Sequence, residues 1–142
     1  MLNTSKNLPT SDDRERSERL REVLGALCEV NRKVPVIVEG RRDVGALRHL
    51  GLIGEVLVLH NGRSLYDFCE EVAECFPKVV ILLDWDDKGE DLFRRVAGHL
   101  SGHWEDFGPL RGMLKALCQK DIKDVEGIPK LLRRLEGCEQ SR

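Results

Sequence analysis

Leu20, Val23, Leu24, Leu27 and Val30 recur at helical spacing with arginine and glutamate between them. This pattern predicts an amphipathic first helix over residues 11–32, and the polar run Ser11, Asp12 and Asp13 suits its amino terminus. Three short apolar runs follow: VPVIV at 34–38, EVLVL at 55–59 and KVVILL at 78–83. They are too short and too rich in β-branched residues for helices, and the first and third lack polar alternation, as strands covered on both faces do. Each run leads into another amphipathic stretch. The first leads to Val44, Leu47 and Leu50, ended by Gly51; the second to Leu65, Phe68, Val72 and Phe76; the third to Leu92, Phe93, Val96 and Leu100. The segment Ser64, Leu65, Tyr66 and Asp67 fits a capping box ahead of the second of these.

Strand-helix alternation at this spacing predicts right-handed β-α-β crossovers, hence an α/β fold with an open, mainly parallel sheet and helices on both faces. The stretch 101–108 reads either as a short fourth strand around Trp104 or as loop. Helical pattern resumes near Leu110, and Pro129 at a first-turn position opens a last helix ending before Gly137. Residues 1–10 are polar, contain Pro9 and show no period, so they read as a flexible leader. Residues 11–142 then form one domain: the first helix at 11–32, the strand-helix core at 33–100 and a helical part at 101–142. A chain of 142 residues suits a single hydrophobic core.

Charge narrows the function without naming it. The 23 basic and 25 acidic residues leave a net charge of -2, so any phosphate-binding surface must be local. Five scattered cysteines without a C-x-x-C pair argue against a disulfide framework and a structural zinc site. Cys28, Cys69 and Cys75 read as small core-filling residues. No apolar run approaches the ~20 residues that a membrane span needs, and the start has no signal-peptide layout, so a cytoplasmic protein is expected.

In an open parallel sheet, ligands bind at the carboxyl ends of the strands, where loops converge and helix amino termini point outward. Glu39-Gly40 follows the first predicted strand, and Asp84-Trp85-Asp86-Asp87-Lys88-Gly89 follows the third. Both therefore fall on one rim, and if the two strands are neighbours or nearly so, Glu39, Asp84 and Asp86 face one cleft. Carboxylates so close repel unless a cation holds them ionised. A hard divalent ion suits oxygen ligands, which points to Mg2+, with Mn2+ as a substitute. Gly40 and Gly89 would admit a phosphate close to the backbone. Arg41, Arg42 and Lys88 are candidates for phosphate contact, with ordinary surface charge as the alternative. Asp87 reads as a solvated helix-start residue and Trp85 as a packing residue. His60 ends the second strand on the same rim. P-loop, G-x-S-x-G and G-x-G-x-x-G patterns are absent.

The order strand-E-G-x-x-D, then strand-D-x-D-x-x-G-E, here 39–43 and 84–90, resembles the Toprim domain of topoisomerases, bacterial-type primases and certain nucleases. The resemblance spans residues 33–100. More narrowly, the short length and the tail IKDVEGIP at 122–129 look like small stand-alone archaeal Toprim proteins. What the resemblance implies is a Toprim-like, Rossmann-like fold with a four-stranded sheet. It further implies Glu39 as general acid/base and metal ligand, Asp84 and Asp86 as magnesium ligands, and phosphodiester chemistry on RNA or DNA. The lone Tyr66 lies in a helix, and no gate or template-binding module is evident. Hydrolysis is therefore expected, the rival being a metal-dependent binding module or a subunit of a larger processing complex with protein partners.

Overall fold

The computed structural model describes residues 8–137. It is an α/β structure with six α-helices and a three-stranded open parallel sheet among those residues. The helices are α1 (Ser11–Asn31), α2 (Arg41–His49), α3 (Leu65–Cys75), α4 (Asp87–His99), α5 (Gly108–Cys118) and α6 (Ile128–Leu135). The strands are β1 (Val36–Val38), β2 (Val56–Val58) and β3 (Val80–Ile81), so all three apolar runs supply strands. Thr10 caps α1 by accepting from the Asp13 N–H at 2.9 Å, while the Asp13 carboxylate accepts from the Thr10 N–H in return. Residues 1–7 of the expected leader lie outside the described residues, as does Cys138.

The strand order is β2-β1-β3, with β1 in the middle and both of its neighbours parallel to it. Strand alternation sorts the core into two halves. Val36, Val38, Val80 and Leu82 face α1, α2, α5 and α6, whereas Ile37, Ile81 and Leu83 face α3 and α4. The chain leaves β1 toward β2 over one face and returns from β2 past β1 to β3 over the other, as crossovers of one hand require. As a result α2, following β1, and α4, following β3, depart to opposite faces from two adjacent strand ends. A crevice opens between them.

The fourth strand expected around Trp104 is not formed among the described residues. The stretch instead turns through Gly102 at φ +92° and a 3-10 turn over Glu105–Phe107. One backbone bond, from the Val79 N–H to the His103 carbonyl at 2.9 Å, ties it to the sheet. The Trp104 indole is folded back on α4, donating to the Ala97 carbonyl at 3.0 Å and meeting the Phe93 ring edge-on. A side chain so engaged holds its backbone out of an extended ladder.

Of the three cysteines read as core-filling, Cys69 is buried and Cys28 half-buried, but Cys75 is exposed because it closes the last turn of α3 on its outer side. Burial raises the Cys69 and Cys118 thiols to about 11. No described helix is long and apolar enough to cross a membrane.

The segment after α5 runs back across the end of β3. Trp85 is 5% exposed. Its N–H donates to the Lys123 carbonyl at 2.9 Å and its indole to the Ile122 carbonyl at 2.8 Å. Trp85→Phe removes the indole donor, and we expect a loss of about 1–3 kcal/mol in urea denaturation together with faster amide exchange at Val125. Unchanged exchange there would contradict the pinning role given to Trp85.

Candidate functional site

Glu39 is the first residue beyond β1, and its carbonyl accepts from the His60 N–H at 3.0 Å, so the β1–β2 ladder continues past the assigned strands and fixes Glu39 at the rim. The side chain is 12% exposed, with Oε2 3.5 Å from His60 Nε2 and 3.6 Å from Lys88 Nζ. Oε1 is buried and accepts no hydrogen bond among the described residues. An acceptor left without a donor in such a position is costly unless a proton or a cation reaches it.

Asp84 meets it from β3, close enough for a hydrogen bond between the two carboxyl groups when one is protonated. Asp84 Oδ1 also accepts from the Val125 N–H at 3.0 Å. Burial is the main influence on Asp84; the Val125 N–H opposes it, but the nearby Asp43 charge and the Glu39 carboxyl add to it, and the result is a pKa of about 7. The two chain-distant acidic loops thus meet.

Asp43 turns back from the first turn of α2, its Oδ2 accepting from the Gly40 N–H at 3.0 Å. It is 6% exposed. Burial raises its pKa against the Gly40 N–H, and the charges of Glu39, Glu126 and Asp124 raise it further. Asp124 and Glu126 come from the segment after α5 and extend the acidic wall. Sequence reasoning gave none of these three a role, although Asp43 sits in E-G-x-x-D and the other two sit in the tail IKDVEGIP.

Arg111 was also missed. It projects from α5, is 5% exposed, and donates through Nε to the Leu83 carbonyl at 2.7 Å and through Nη2 to the Asp84 carbonyl at 2.6 Å. Its guanidinium lies 4.3 Å from the Phe93 ring centroid and 3.5 Å from Glu90, which is itself paired to Lys115 at 2.6 Å. Arg111 therefore clamps the backbone that carries Asp84. An arginine inside an amphipathic helix reads as surface charge, so no sequence signal singled it out.

The remaining predicted residues divide. Asp86 is exposed and caps α4, Oδ1 accepting from the Gly89 N–H at 2.7 Å. Lys88 reaches Glu39, Arg42 lies 3.9 Å from Glu126, and Arg41 makes no ion pair among the described residues. Gly89 is required by internal packing: a Cβ there would stand 2.2 Å from the Asp84 carbonyl oxygen. Gly40 leaves open space at its Cβ position, but its N–H is engaged by Asp43. Asp87 is exposed in the first turn of α4 and Trp85 is in the core, as expected.

This donor set fits a hard cation. It is all oxygen, one acceptor is orphaned, and burial together with the neighbouring Asp43 and Glu39 carboxyls raises the Asp84 pKa to about 7. No cluster of three or more His, Cys, Asp or Glu side chains converges as a ligand set among the described residues. The converging pair is what magnesium takes from a protein when substrate oxygens and water complete its shell.

The Asp84 shift fixes a sign. A pKa raised from 3.8 to about 7 on folding means that the native state holds the proton more tightly, so stability falls as pH rises through that window. Asparagine keeps an oxygen for the Val125 N–H and carries no charge. In EDTA, Asp84→Asn is expected to melt above the wild type at pH 8 and level with it near pH 4. A difference that does not vary with pH in thermal melts would contradict the shift.

No family model matches the chain. It is 41% identical over 121 residues to a UPF0292 protein of Methanosarcina barkeri, the match covering 81% of each chain. It is 35% identical over 119 residues to a UPF0292 protein of Pyrococcus horikoshii, covering 83% of this chain and 82% of that one. Among solved structures it resembles a putative protein from Aquifex aeolicus, with TM-score 0.61 and 25% identity over 75% of this chain and 95% of that one. With such relatives matched over most of their length, the chain belongs to the UPF0292 family.

Proposed function

We propose that this protein is a Toprim-like, magnesium-dependent phosphodiesterase acting on nucleic acid. The observation that carries the reading is the placement of Glu39 and Asp84 at the ends of the adjacent strands β1 and β3, near enough for the Glu39 carboxyl to raise the Asp84 pKa, with Glu39 Oε1 buried and undonated among the described residues. A Toprim-like fold is supported by the E-G-x-x-D and D-x-D-x-x-G-E patterns and by the parallel order β2-β1-β3.

Glu39 and Asp84 would hold the ion; Asp86, expected as a further ligand, is exposed and spends its Oδ1 on capping α4, and it is not gathered with the other two among the described residues. Bound magnesium, or manganese in its place, would supply Lewis acidity at the phosphodiester and a lowered pKa for the attacking water. The chain's own part is positioning and proton transfer. Glu39 would take the proton of the attacking water as that oxygen bonds to phosphorus, and would return it to the leaving oxygen as the old P–O bond breaks. Lys88 and His60, on the Oε2 side of Glu39, stabilise its charge and offer donors to a phosphate oxygen. Arg111 and Val125 keep Asp84 in place while substrate enters. Gly40 and Gly89 contribute through loop shape, and Arg41 and Arg42 bring positive charge to the rim.

The second reading is a metal-dependent binding module or subunit without turnover. It is favoured by the near-neutral charge and by the carboxylates that already occupy Arg42 and Lys88, because a lone catalyst on nucleic acid usually shows a free basic surface.

Labelled RNA and DNA incubated with magnesium or manganese separate the two. The wild type is expected to cleave, and Glu39→Gln and Asp84→Asn each to lose about 100-fold or more of that rate. Metal-dependent binding with no cleavage supports the module, and the absence of both contradicts the nucleic-acid reading.

A further inference from the structure

A groove of 630 Å³ runs from the acidic rim between α2 and the outer edge of β2. Its size falls within the ~300–1,000 Å³ of small-ligand sites. The floor is apolar: Val44 from α2 with Val56 and Val58 from β2. All three are only half-buried, whereas β1 and the assigned part of β3 are fully buried. Three polar or cationic side chains, Arg41, His60 and Asn61, complete its lining, and His60 lies nearest Glu39.

Gly45 lines the same groove in the middle of α2. Its backbone is helical, and a Cβ there would meet nothing within 4 Å, so packing inside the protein does not call for glycine. Glycine in a helix interior weakens the helix relative to alanine. What its missing side chain leaves is room above the valine floor.

We propose that this groove receives one unstacked nucleotide of a single-stranded nucleic acid, next to the phosphate at Glu39 and Asp84. The assignment rests on the function proposed above and names its substrate class. The base lies on Val44, Val56 and Val58, and the space at Gly45 admits its edge. Arg41, which makes no ion pair among the described residues, faces the adjoining phosphate. His60 links the groove to the acidic pair, its Nε2 lying 3.5 Å from Glu39 Oε2. A stacked, paired base presents only its edge in a duplex groove, so insertion demands a strand whose bases turn outward.

The test is fluorescence anisotropy in magnesium with a short labelled RNA strand, the DNA strand of the same sequence, and the DNA duplex. Cleavage of the same probes is read separately. Single strands are expected to bind about tenfold or more above the duplex, and the RNA and DNA arms show which sugar is preferred. Gly45→Leu is expected to melt at or above the wild-type temperature and to lose single-strand binding about tenfold or more. Gly45→Ala shows a smaller loss in the same direction and decides the matter if the leucine variant fails to fold. Arg41→Gln is expected to weaken binding and to lower the slope of log affinity against log salt by about one. Wild-type affinity in a folded Gly45→Leu, or no single-strand binding by the wild type, overturns the proposal. If the wild type cleaves and Gly45→Leu cleaves equally well, the groove assignment fails and hydrolysis stands. Binding lost in Gly45→Leu with no cleavage by the wild type leaves the groove and removes hydrolysis.

Discussion

Two carboxyl groups from distant parts of the chain come near each other at adjacent strand ends in a half-buried crevice, and the rest of the structure is arranged around the cost of keeping them there. Neither Glu39 nor Asp84 has a paired arginine. Burial and the charge of Asp43 push Asp84 toward the protonated form at neutral pH. A structure built only for stability would replace one of them with an amide or an apolar residue. Instead, Arg111 spends two hydrogen bonds on the carbonyls of Leu83 and Asp84, and Val125 gives its N–H to the Asp84 side chain.

Topology supplies the place. Because β1 and β3 are neighbours and α2 and α4 depart to opposite faces, none of the described helices closes over the strand ends where Glu39 and Asp84 emerge. The segment after α5 borders that opening, held by the Trp85 indole, and brings Asp124 and Glu126 to the same side. Gly89 allows α4 to start against the Asp84 carbonyl, and Asp86 caps that helix in the same turn. The D-x-D sequence therefore gives its two aspartates different surroundings: Asp84 half-buried against Glu39, Asp86 exposed at the head of α4.

The strands and main helices were legible because periodicity depends on local burial, and runs such as VPVIV and KVVILL are buried on both faces of a central sheet. The meeting of Glu39 and Asp84 was legible for a related reason, since residues that directly follow parallel strands share a rim whatever the loops do. Side-chain decisions made across the fold were not. Trp104 turned back onto α4 because Ala97 and Phe93 offered its indole a partner and a packing surface, and no local pattern encodes that choice. Arg111 looked like helix surface, yet it reaches two carbonyls at the end of β3. Cys75 shares the helical spacing of buried neighbours but falls on the outer side of α3. Gly89 was legible as necessary, though for closeness to a phosphate rather than to Asp84's own carbonyl.

The central claim is that Glu39 and Asp84 form one cation site. Crystals soaked in manganese and measured at its absorption edge test it most directly. The account predicts an anomalous peak within coordination distance of both carboxylates, lost in a Glu39→Gln crystal. A peak elsewhere, or none at this crevice in crystals whose acidic loops are well ordered, would contradict it.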